Sequence, residues 1–354
     1  MLAMSRGNVT IVSSESYRID YQCSSGNADV LVFTFGEYNN NDLEGPGFAG
    51  KFLFDSGLDV ISIKSRNNNW YQDLFPNAWN SLEAFLETLD TKYASRSGYG
   101  SSMGAYGAIA FSRVLKFDRV FAISPQVSIN MPWDKRWGAD GSRIGQVRSI
   151  DAASINPDCR YVVLYDPFDI DRKHADLLKA AIAPDRYTSI PLPHAGHPGG
   201  YMLNAVGGLK EVSLAALKGN EIPTWRGSYR TNRNAYPAYY LNLAEHLAAR
   251  KKLSWASQVI ARALSLQPAN ADFNICAANI AERIGHLDEA LAFALAAIEV
   301  KPEHPFMLAI TSRLQGKLGL LDQALICIDK AITLRPTSTD FKEMRKAFVE
   351  RLPS

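Results

Sequence analysis

The stretch Gly98-Tyr-Gly-Ser-Ser-Met-Gly-Ala-Tyr-Gly107 is the most informative part of the sequence. Within it, residues 100–104 fit the pattern G-x-S-x-G, with the serine at position 102. The pattern follows a short strand-like run and precedes a helical pattern (104–116), which is the context that this motif requires. A turn this tight accepts only glycine two residues either side of the serine. The motif therefore predicts that Ser102 is a nucleophile raised above a sheet edge, and a glycine-rich packing turn is the alternative.

Short runs of β-branched and aromatic residues surround the motif and alternate with helical patterns (77–93, 104–116 and 171–182). This alternation indicates βαβ units, so we expect an α/β domain with a doubly wound, mostly parallel sheet covered on both faces. No helix separates the first two runs, which are therefore expected to begin the sheet as an antiparallel pair. The predicted strands are YRIDYQC (17–23), VLVFTFG (30–36), DVISIK (59–64), SGYGS (97–101), RVFAIS (119–124), RYVVLY (160–165) and RYTSIPL (186–192).

A serine nucleophile needs a base, and the segment PLPHAGHPGG (191–200) offers two histidines on a loop after the last predicted strand. His197, which follows Gly196 and precedes a Pro-Gly-Gly run, is the predicted base. His194 is the alternative base or a neighbouring residue of the site. His174 lies within a helical pattern and is interpreted as a solvated residue on a helix face.

The acid that orients the base is expected on the loop after the preceding strand, in YVVLYDPFDIDRKHA (161–175). Asp169 is the predicted acid, and Asp166 stays open as the alternative. Asp171 is expected instead to cap the following helix, because an aspartate at that position accepts a backbone N–H. The order Ser102, Asp169, His197 differs from the orders of the chymotrypsin and subtilisin types.

With these residues, positions 1–215 resemble the α/β-hydrolase superfamily. The resemblance implies an esterase or deacylase that works through an acyl-enzyme, with no metal or organic cofactor. It also implies an oxyanion hole formed by the backbone N–H of Met103 and a second one after strand 30–36, where Tyr38 or Glu37 would supply it. This loop departs from the HGGG form of the lipases. The same triad would also serve an acyltransferase.

Polar and aromatic residues near the predicted strand ends suggest a substrate pocket formed by Trp70, Tyr71, Gln126 and His194. The insertion 125–158 follows strand 119–124 and carries two tryptophans, Trp133 and Trp137, which would form a lid or merely fix a long loop. Aromatic and amide side chains suit small polar esters, including acyl groups on saccharides, better than long lipids.

From residue 237 onward the sequence has a period of 34 residues and no strand patterns. This part resembles the tetratricopeptide repeat (TPR), in units 237–270, 271–304 and 305–338 followed by a capping helix (339–352). Residues 216–236 are interpreted as a linker. The recurring positions are Pro268, Pro302 and Pro336; Ala256, Ala290 and Ala324; Ala263, Ala297 and Ala331; and Leu253, Leu287 and Leu321.

The large aromatic residue expected early in each first helix is absent, since Leu243, Ala277 and Thr311 occupy that region. The repeat resemblance implies a groove for a protein or peptide partner. A second hypothesis follows, in which the hydrolase-like part is catalytically inactive and the protein is an adaptor. Packing of the repeat on its own chain is a third reading.

The charge balance excludes two classes of partner. The sequence has 38 Lys and Arg against 36 Asp and Glu, a net charge of +2, which leaves no electrostatic footprint for nucleic acid or an anionic membrane. The four cysteines are far apart and show no metal-ligand spacing. No apolar run reaches membrane-spanning length and no signal peptide is recognisable, so a cytoplasmic protein is expected.

Overall fold

The computed structural model describes residues 7–24, 28–74, 78–89, 93–145, 147–224 and 226–352. The chain divides into two compact units that meet in sequence between Ala235 and Tyr236. Most of the predicted linker (216–236) therefore belongs to the first unit, where it continues one helix and contributes another. The predicted helix 77–93 has its first residue and positions 90–92 outside the described residues.

The first unit is an α/β domain built on a mixed sheet of eight strands in the order β1-β2-β4-β3-β5-β6-β7-β8. Strands β3 to β8 run parallel to one another, while β2 is antiparallel to both β1 and β4. The strands are β1 (Gly7–Ser13), β2 (Tyr17–Cys23), β3 (Val30–Phe35), β4 (Asp59–Ser65), β5 (Ser95–Ser101), β6 (Arg119–Ile123), β7 (Arg160–Tyr165) and β8 (Tyr187–Pro191).

All seven predicted strands are present, but the predicted antiparallel pairing of the first two is wrong. The run 17–23 pairs with Asp59–Ser65 and with the additional strand Gly7–Ser13, and the run 30–36 lies beyond Asp59–Ser65. The backbone of β3 is thus paired on both sides by parallel neighbours. The prediction paired these runs because they are consecutive in the sequence. Closeness in sequence does not show which strands become neighbours when crossover connections intervene.

Eight helices are described in the first unit. Every residue of β3 and β4 is buried, as expected for central strands enclosed on both faces. Leu31, Phe33, Ile61 and Val163 are fully buried within this core. The helices are α1 (Gly50–Asp55), α2 (Trp79–Glu87), α3 (Met103–Ala110), α4 (Gly138–Ile144), α5 (Asp171–Ala181), α6 (Gly200–Ala205), α7 (Leu209–Lys218) and α8 (Arg226–Asn232).

The second unit is a helical repeat of three helix pairs and a final helix. The six recurring alanines predicted from the period are all fully buried, and their small side chains let paired helices pack closely. Gly285 and Gly319 end first helices of successive pairs with φ angles of 102° and 80°, which favour glycine. The helices are α9 (Ala238–Ala249), α10 (Leu253–Leu266), α11 (Ala271–Ile284), α12 (Leu287–Val300), α13 (Pro305–Lys317), α14 (Leu321–Leu334) and α15 (Thr339–Val349).

No helix in the described part of the chain has the length and apolar character needed to cross a membrane.

Candidate active site

Ser102 lies in the turn between β5 and α3, in the strained backbone conformation that the motif predicts. Its φ and ψ are 52° and −116°, and its N–H donates to the carbonyl of Ile123 at 2.8 Å. A positive φ is costly for a residue with a Cβ and persists only where the surroundings enforce it. A Cβ at Gly100 would overlap the backbone of Gly104, and one at Gly104 would overlap the carbonyl of Phe35. The two glycines therefore make the close packing of this turn possible.

The structure brings Ser102 and His197 together, as predicted. The Ser102 Oγ lies 2.8 Å from the His197 Nε2, and His197 stands on the loop between β8 and α6. The Ser102 side chain is buried and that of His197 is mostly buried, at 14% exposure. This geometry allows the imidazole to accept the hydroxyl proton.

The acid beside His197 is Asp171 rather than the predicted Asp169. The Asp171 carboxylate lies 2.8 Å and 3.0 Å from the His197 Nδ1, through its Oδ2 and Oδ1. Asp171 is the first residue of α5 and does not cap it, since the N-cap is Ile170, which makes no side-chain cap. The expectation that Asp171 is only a helix cap is therefore wrong.

Asp169 faces a different set of donors. Its Oδ1 accepts the backbone N–H of Asp171 at 3.0 Å and the guanidinium of Arg136 at 3.2 Å. It thus supports the start of α5 and makes no hydrogen bond with His197. The pKa values of the two carboxyls are also shifted differently. Burial and the charge of Asp171 raise the pKa of Asp169.

The pKa of Asp171 is lowered although the carboxyl is fully buried. Burial opposes ionisation, and the opposing effects of His197 and Arg136, through charge and hydrogen bonds, outweigh it. A carboxylate that stays ionised beside the Nδ1 fixes the tautomer, so that the Nε2 faces Ser102 with its lone pair.

Asp166, the alternative acid, holds the histidine loop in place. Its Oδ1 accepts the N–H of His194 at 3.0 Å and its Oδ2 that of Gly196 at 2.9 Å. A third N–H, from Phe168, reaches the Oδ1 at 2.9 Å. Burial raises the pKa of Asp166 despite these bonds. Asp166 therefore sets the path of the chain one residue before His197.

Gln126 lies directly beside Ser102. Its Nε2 is 3.4 Å from both the Ser102 Oγ and the His197 Nε2, and the side chain is fully buried. The indole of Trp70 donates to the Gln126 Oε1 at 3.4 Å, which turns the amide N–H groups toward Ser102. Gln126 is thus in place to donate to a group that approaches the serine.

Three other predicted pocket residues are buried beside the site. Trp70 is fully buried and Tyr71 nearly so, and the Tyr71 hydroxyl donates to the carbonyl of Gly36 at 2.6 Å. His194 stacks on Phe168 with ring centroids 4.6 Å apart and makes no contact with Ser102 among the described interactions. All three side chains are buried, so they support the loops around Ser102 and do not present an exposed surface to a substrate.

The backbone groups predicted for the oxyanion hole are free to bind. Among the described residues, the N–H groups of Met103, Glu37 and Tyr38 have no hydrogen-bond acceptor. The Tyr38 side chain is taken up elsewhere, since its hydroxyl donates to Asp140 at 3.1 Å. Glu37 is partly buried, which raises its pKa, and its carboxylate accepts from Tyr201 at 3.5 Å.

The insertion 125–158 contributes two residues that contact Asp171 and His197, and neither contact was predicted from the sequence. Arg136 donates to Asp171 at 2.8 Å, and the Trp137 ring lies 5.9 Å from that of His197. Trp137 also packs against Tyr38 and Trp70, with ring centroids 5.2 Å away in each case. Among the described residues no cluster of three His, Cys, Asp or Glu side chains is suited to hold a metal.

No protein-family model matches the sequence, and no curated protein matches it. Several solved TPR domains are similar in fold to about a third of the chain. The Arabidopsis OM64 TPR domain is 16% identical, with a TM-score of 0.30, 31% of this chain covered and 90% of that one. The Sgt2 TPR domain from Aspergillus fumigatus is 20% identical, with a TM-score of 0.31, 32% of this chain covered and 78% of that one. The first TPR of Spaghetti (RPAP3), solved with an HSP90 peptide, is 13% identical, with a TM-score of 0.33, 33% of this chain covered and 94% of that one.

Proposed function

We propose that the first unit is a serine hydrolase of the α/β-hydrolase type, acting on an ester-like acyl substrate through an acyl-enzyme. The observation that carries this proposal is the continuous chain of hydrogen bonds from Asp171 through His197 to Ser102, with distances of 2.8 Å at both links. The strained backbone at Ser102 gives further support, because it places the buried hydroxyl within hydrogen-bond distance of His197, and strained residues cluster at active sites.

The chemistry follows from these positions. The Ser102 Oγ attacks the acyl carbon while the His197 Nε2 takes its proton, and Asp171 stabilises the resulting imidazolium. The negative charge on the carbonyl oxygen faces the N–H groups of Met103 and of Tyr38 or Glu37. The imidazolium then protonates the leaving alcohol, and the acyl group stays on Ser102 until water, activated by His197, releases the acid. Each oxyanion donor typically contributes about 3 kcal/mol.

The substrate is a small ester with a polar acyl or alcohol part. Gln126 offers an amide donor next to Ser102, and Trp137 and Tyr38 offer aromatic faces near His197. Aromatic faces combined with a buried amide suit an acylated saccharide. Acyl transfer to an acceptor alcohol uses the same acyl-enzyme, and added alcohol would then compete with water for it.

A fluorophosphonate probe tests the nucleophile without knowledge of the substrate. The wild-type protein is expected to be labelled, and Ser102→Ala is expected to lose the label. Ser101→Ala is the matched control, because Ser101 is the adjacent buried serine and is not bonded to His197. Failure to label the wild type, or labelling of Ser102→Ala, would refute the proposal.

A panel of p-nitrophenyl esters from acetyl to decanoyl then defines the acyl group. Turnover of short chains alone is expected, because the aromatic and amide side chains near Ser102 suit a small polar ester better than a long acyl chain. Faster turnover of the long chains would contradict a polar acyl substrate.

We further propose that the helical repeat binds a partner peptide with acidic side chains. A cavity of about 190 Å³ between α9 and α11 is lined by Cys276, Asn279, Arg283 and Glu245. Beside it, Glu282 is already paired with two cations, Arg313 at 2.8 Å and Lys317 at 2.9 Å. Together the acids Glu245 and Glu282 and the cations Arg283, Arg313 and Lys317 give one excess positive charge, which favours an acidic peptide.

Fluorescence anisotropy with the full chain tests this second proposal. A labelled penta-aspartate peptide is expected to bind more tightly than a penta-lysine peptide, and the double variant Arg313→Ala/Lys317→Ala is expected to weaken it. Equal binding of the two peptides, or an unchanged affinity in the double variant, would refute an acidic partner. If no hydrolase activity is found while this binding holds, the adaptor hypothesis is favoured.

A further inference from the structure

Two adjacent residues of the insertion contact two members of the triad. Arg136 donates to the Asp171 Oδ1 at 2.8 Å, and Trp137 packs its ring edge-on against His197 at 5.9 Å. Both residues belong to a segment without regular structure between Asn130 and Gly138. The triad is therefore in direct contact with a loop that lies outside the sheet and its strand-end turns.

The guanidinium of Arg136 joins three carboxylates. Its Nε and Nη2 make a bidentate pair with Asp134 at 3.0 Å and 2.8 Å, while its Nη1 reaches Asp171 at 2.8 Å and Asp169 at 3.2 Å. The Asp134 and Asp171 side chains are fully buried. A planar fork can hold several carboxylates in fixed directions, which an ammonium group cannot do.

Asp134 is itself held by the core of the domain. The interpretation of His174 as a solvated residue is wrong, because its side chain is fully buried. Its Nδ1 accepts the backbone N–H of Val127 at 3.0 Å, so its proton is on the Nε2, which donates to Asp134 at 3.1 Å. His174 is a residue of α5, as is Asp171. The insertion is thus tied to α5 at two points, through Asp134 to His174 and through Arg136 to Asp171.

We propose that Arg136 is a positioning residue of the catalytic triad: it fixes the direction of the Asp171 carboxylate and makes the seating of the insertion a condition for a competent His197. This inference rests on the proposed hydrolase function. It gives the insertion a role in assembling the proposed triad. It also explains how the buried Asp134 and Asp171 and the half-buried Asp169 remain close together.

The effect of removing the guanidinium follows from the charges that face it. Arg136 is surrounded by Asp134, Asp169 and Asp171, and the imidazole of His197 has the last two and Glu37 nearby. Loss of the guanidinium leaves these carboxylates without the cation that pairs with them. The pH dependence of the reaction at Ser102 is therefore expected to move to higher pH.

The rate of fluorophosphonate labelling of Ser102, measured from pH 4 to pH 9, tests the proposal in the full chain. In Arg136→Met the limiting rate at high pH is expected to fall about 100-fold, because misplacement of a catalytic group has effects of that size. The acid limb of the profile is expected to move to higher pH by about one unit. In Arg136→Lys the acid limb should return to its wild-type position while the limiting rate stays low, because the charge is restored without the fork.

Arg172→Met is the matched control. Arg172 follows Asp171 in α5, is well exposed and pairs only with Asp176 among the described ion pairs, so its removal should leave the profile unchanged. A wild-type rate and acid limb in Arg136→Met would overturn the proposal, and so would an equal fall in both Arg136 variants with no movement of the limb. If Arg136→Met does not fold, a wild-type profile in Arg136→Lys would overturn it. Absence of labelling in the wild-type protein would instead refute the hydrolase function on which the proposal rests.

Discussion

The first residue of α5, Asp171, holds the Nδ1 of His197 at 2.8 Å, so the start of a helix after β7 orients a base on the loop after β8. Neighbouring parallel strands β7 and β8 bring these two segments to the same edge of the sheet. The same edge carries Ser102 at the end of β5. The proposed triad thus depends on three strand ends whose order is set by the sheet.

Replacement of Asp171 by asparagine should separate the two candidate acids. Asparagine keeps the shape of the side chain but can present its amide to the imidazole, which stabilises the wrong tautomer. We expect the labelling rate of Ser102 to fall by about 10⁴-fold in Asp171→Asn, as in other triads with this change. In Asp169→Asn we expect less than a tenfold fall, because Asp169 does not touch His197. A larger loss in Asp169→Asn than in Asp171→Asn would contradict the assignment.

The close packing of the turn predicts that Gly104 cannot be replaced. A Cβ at this position would overlap the carbonyl of Phe35, so the strand–helix turn must open. Gly104→Ala is expected to lose fluorophosphonate labelling and to lower the free energy of unfolding by about 2 kcal/mol or more, measured by urea denaturation. Gly138→Ala is the control: nothing lies within 4 Å of its Cβ, so both quantities should stay near wild type.

Asp134 predicts a pH-dependent contribution to stability. Its pKa is lowered, because the hydrogen bonds from His174 and Arg136 outweigh the opposing effect of burial. A carboxyl whose pKa is lower in the folded than in the unfolded state stabilises the protein above the unfolded value of 3.8, and this contribution is lost as the pH falls below it. Asp134→Asn should therefore destabilise the protein by about 2 kcal/mol at pH 7. The difference from wild type should shrink between pH 4 and pH 2, and a difference that is constant with pH would contradict this.

In the helical repeat, the buried alanines predict a sharp size limit. Ala290 in α12 is fully buried, whereas Ala292 in the same helix is exposed. Ala290→Leu should therefore destabilise the protein by about 1–3 kcal/mol through overpacking, while Ala292→Leu should change its stability by less than about 0.5 kcal/mol. Thermal unfolding followed by circular dichroism measures both, and equal melting temperatures would show that the helices are not closely packed at this column.

Local patterns predicted much of the fold and part of the site. The seven strand runs, the 34-residue period and the turn around Ser102 can be recognised from the spacing of residues along the sequence. They can therefore be predicted without knowledge of the tertiary structure. His197 was predicted from its position on the loop after the last strand. The edge strand β1 was not predicted, and five of its seven residues are exposed, since an edge strand leaves little apolar alternation to detect.

The acid was missed for a physical reason. Asp166, Asp169 and Asp171 lie within six residues, and each residue of a helix turns the side chain by about 100°, so the choice depends on where α5 begins. The sequence does not fix that boundary to within one residue. Arg136 was missed because it acts through Asp171 across 35 positions of the chain, and no local pattern links the two.

The left-handed backbone of Ser102 has a consequence for the stability of the domain. Glycine adopts a φ of 52° without strain, so Ser102→Gly is expected to unfold at higher temperature than the wild-type protein, while Ser102→Ala keeps the strain. The chain therefore carries at this position a residue that is worse for folding than the simplest alternative. Selection for a stable scaffold alone would favour glycine here, so the presence of serine agrees with its proposed role as the nucleophile.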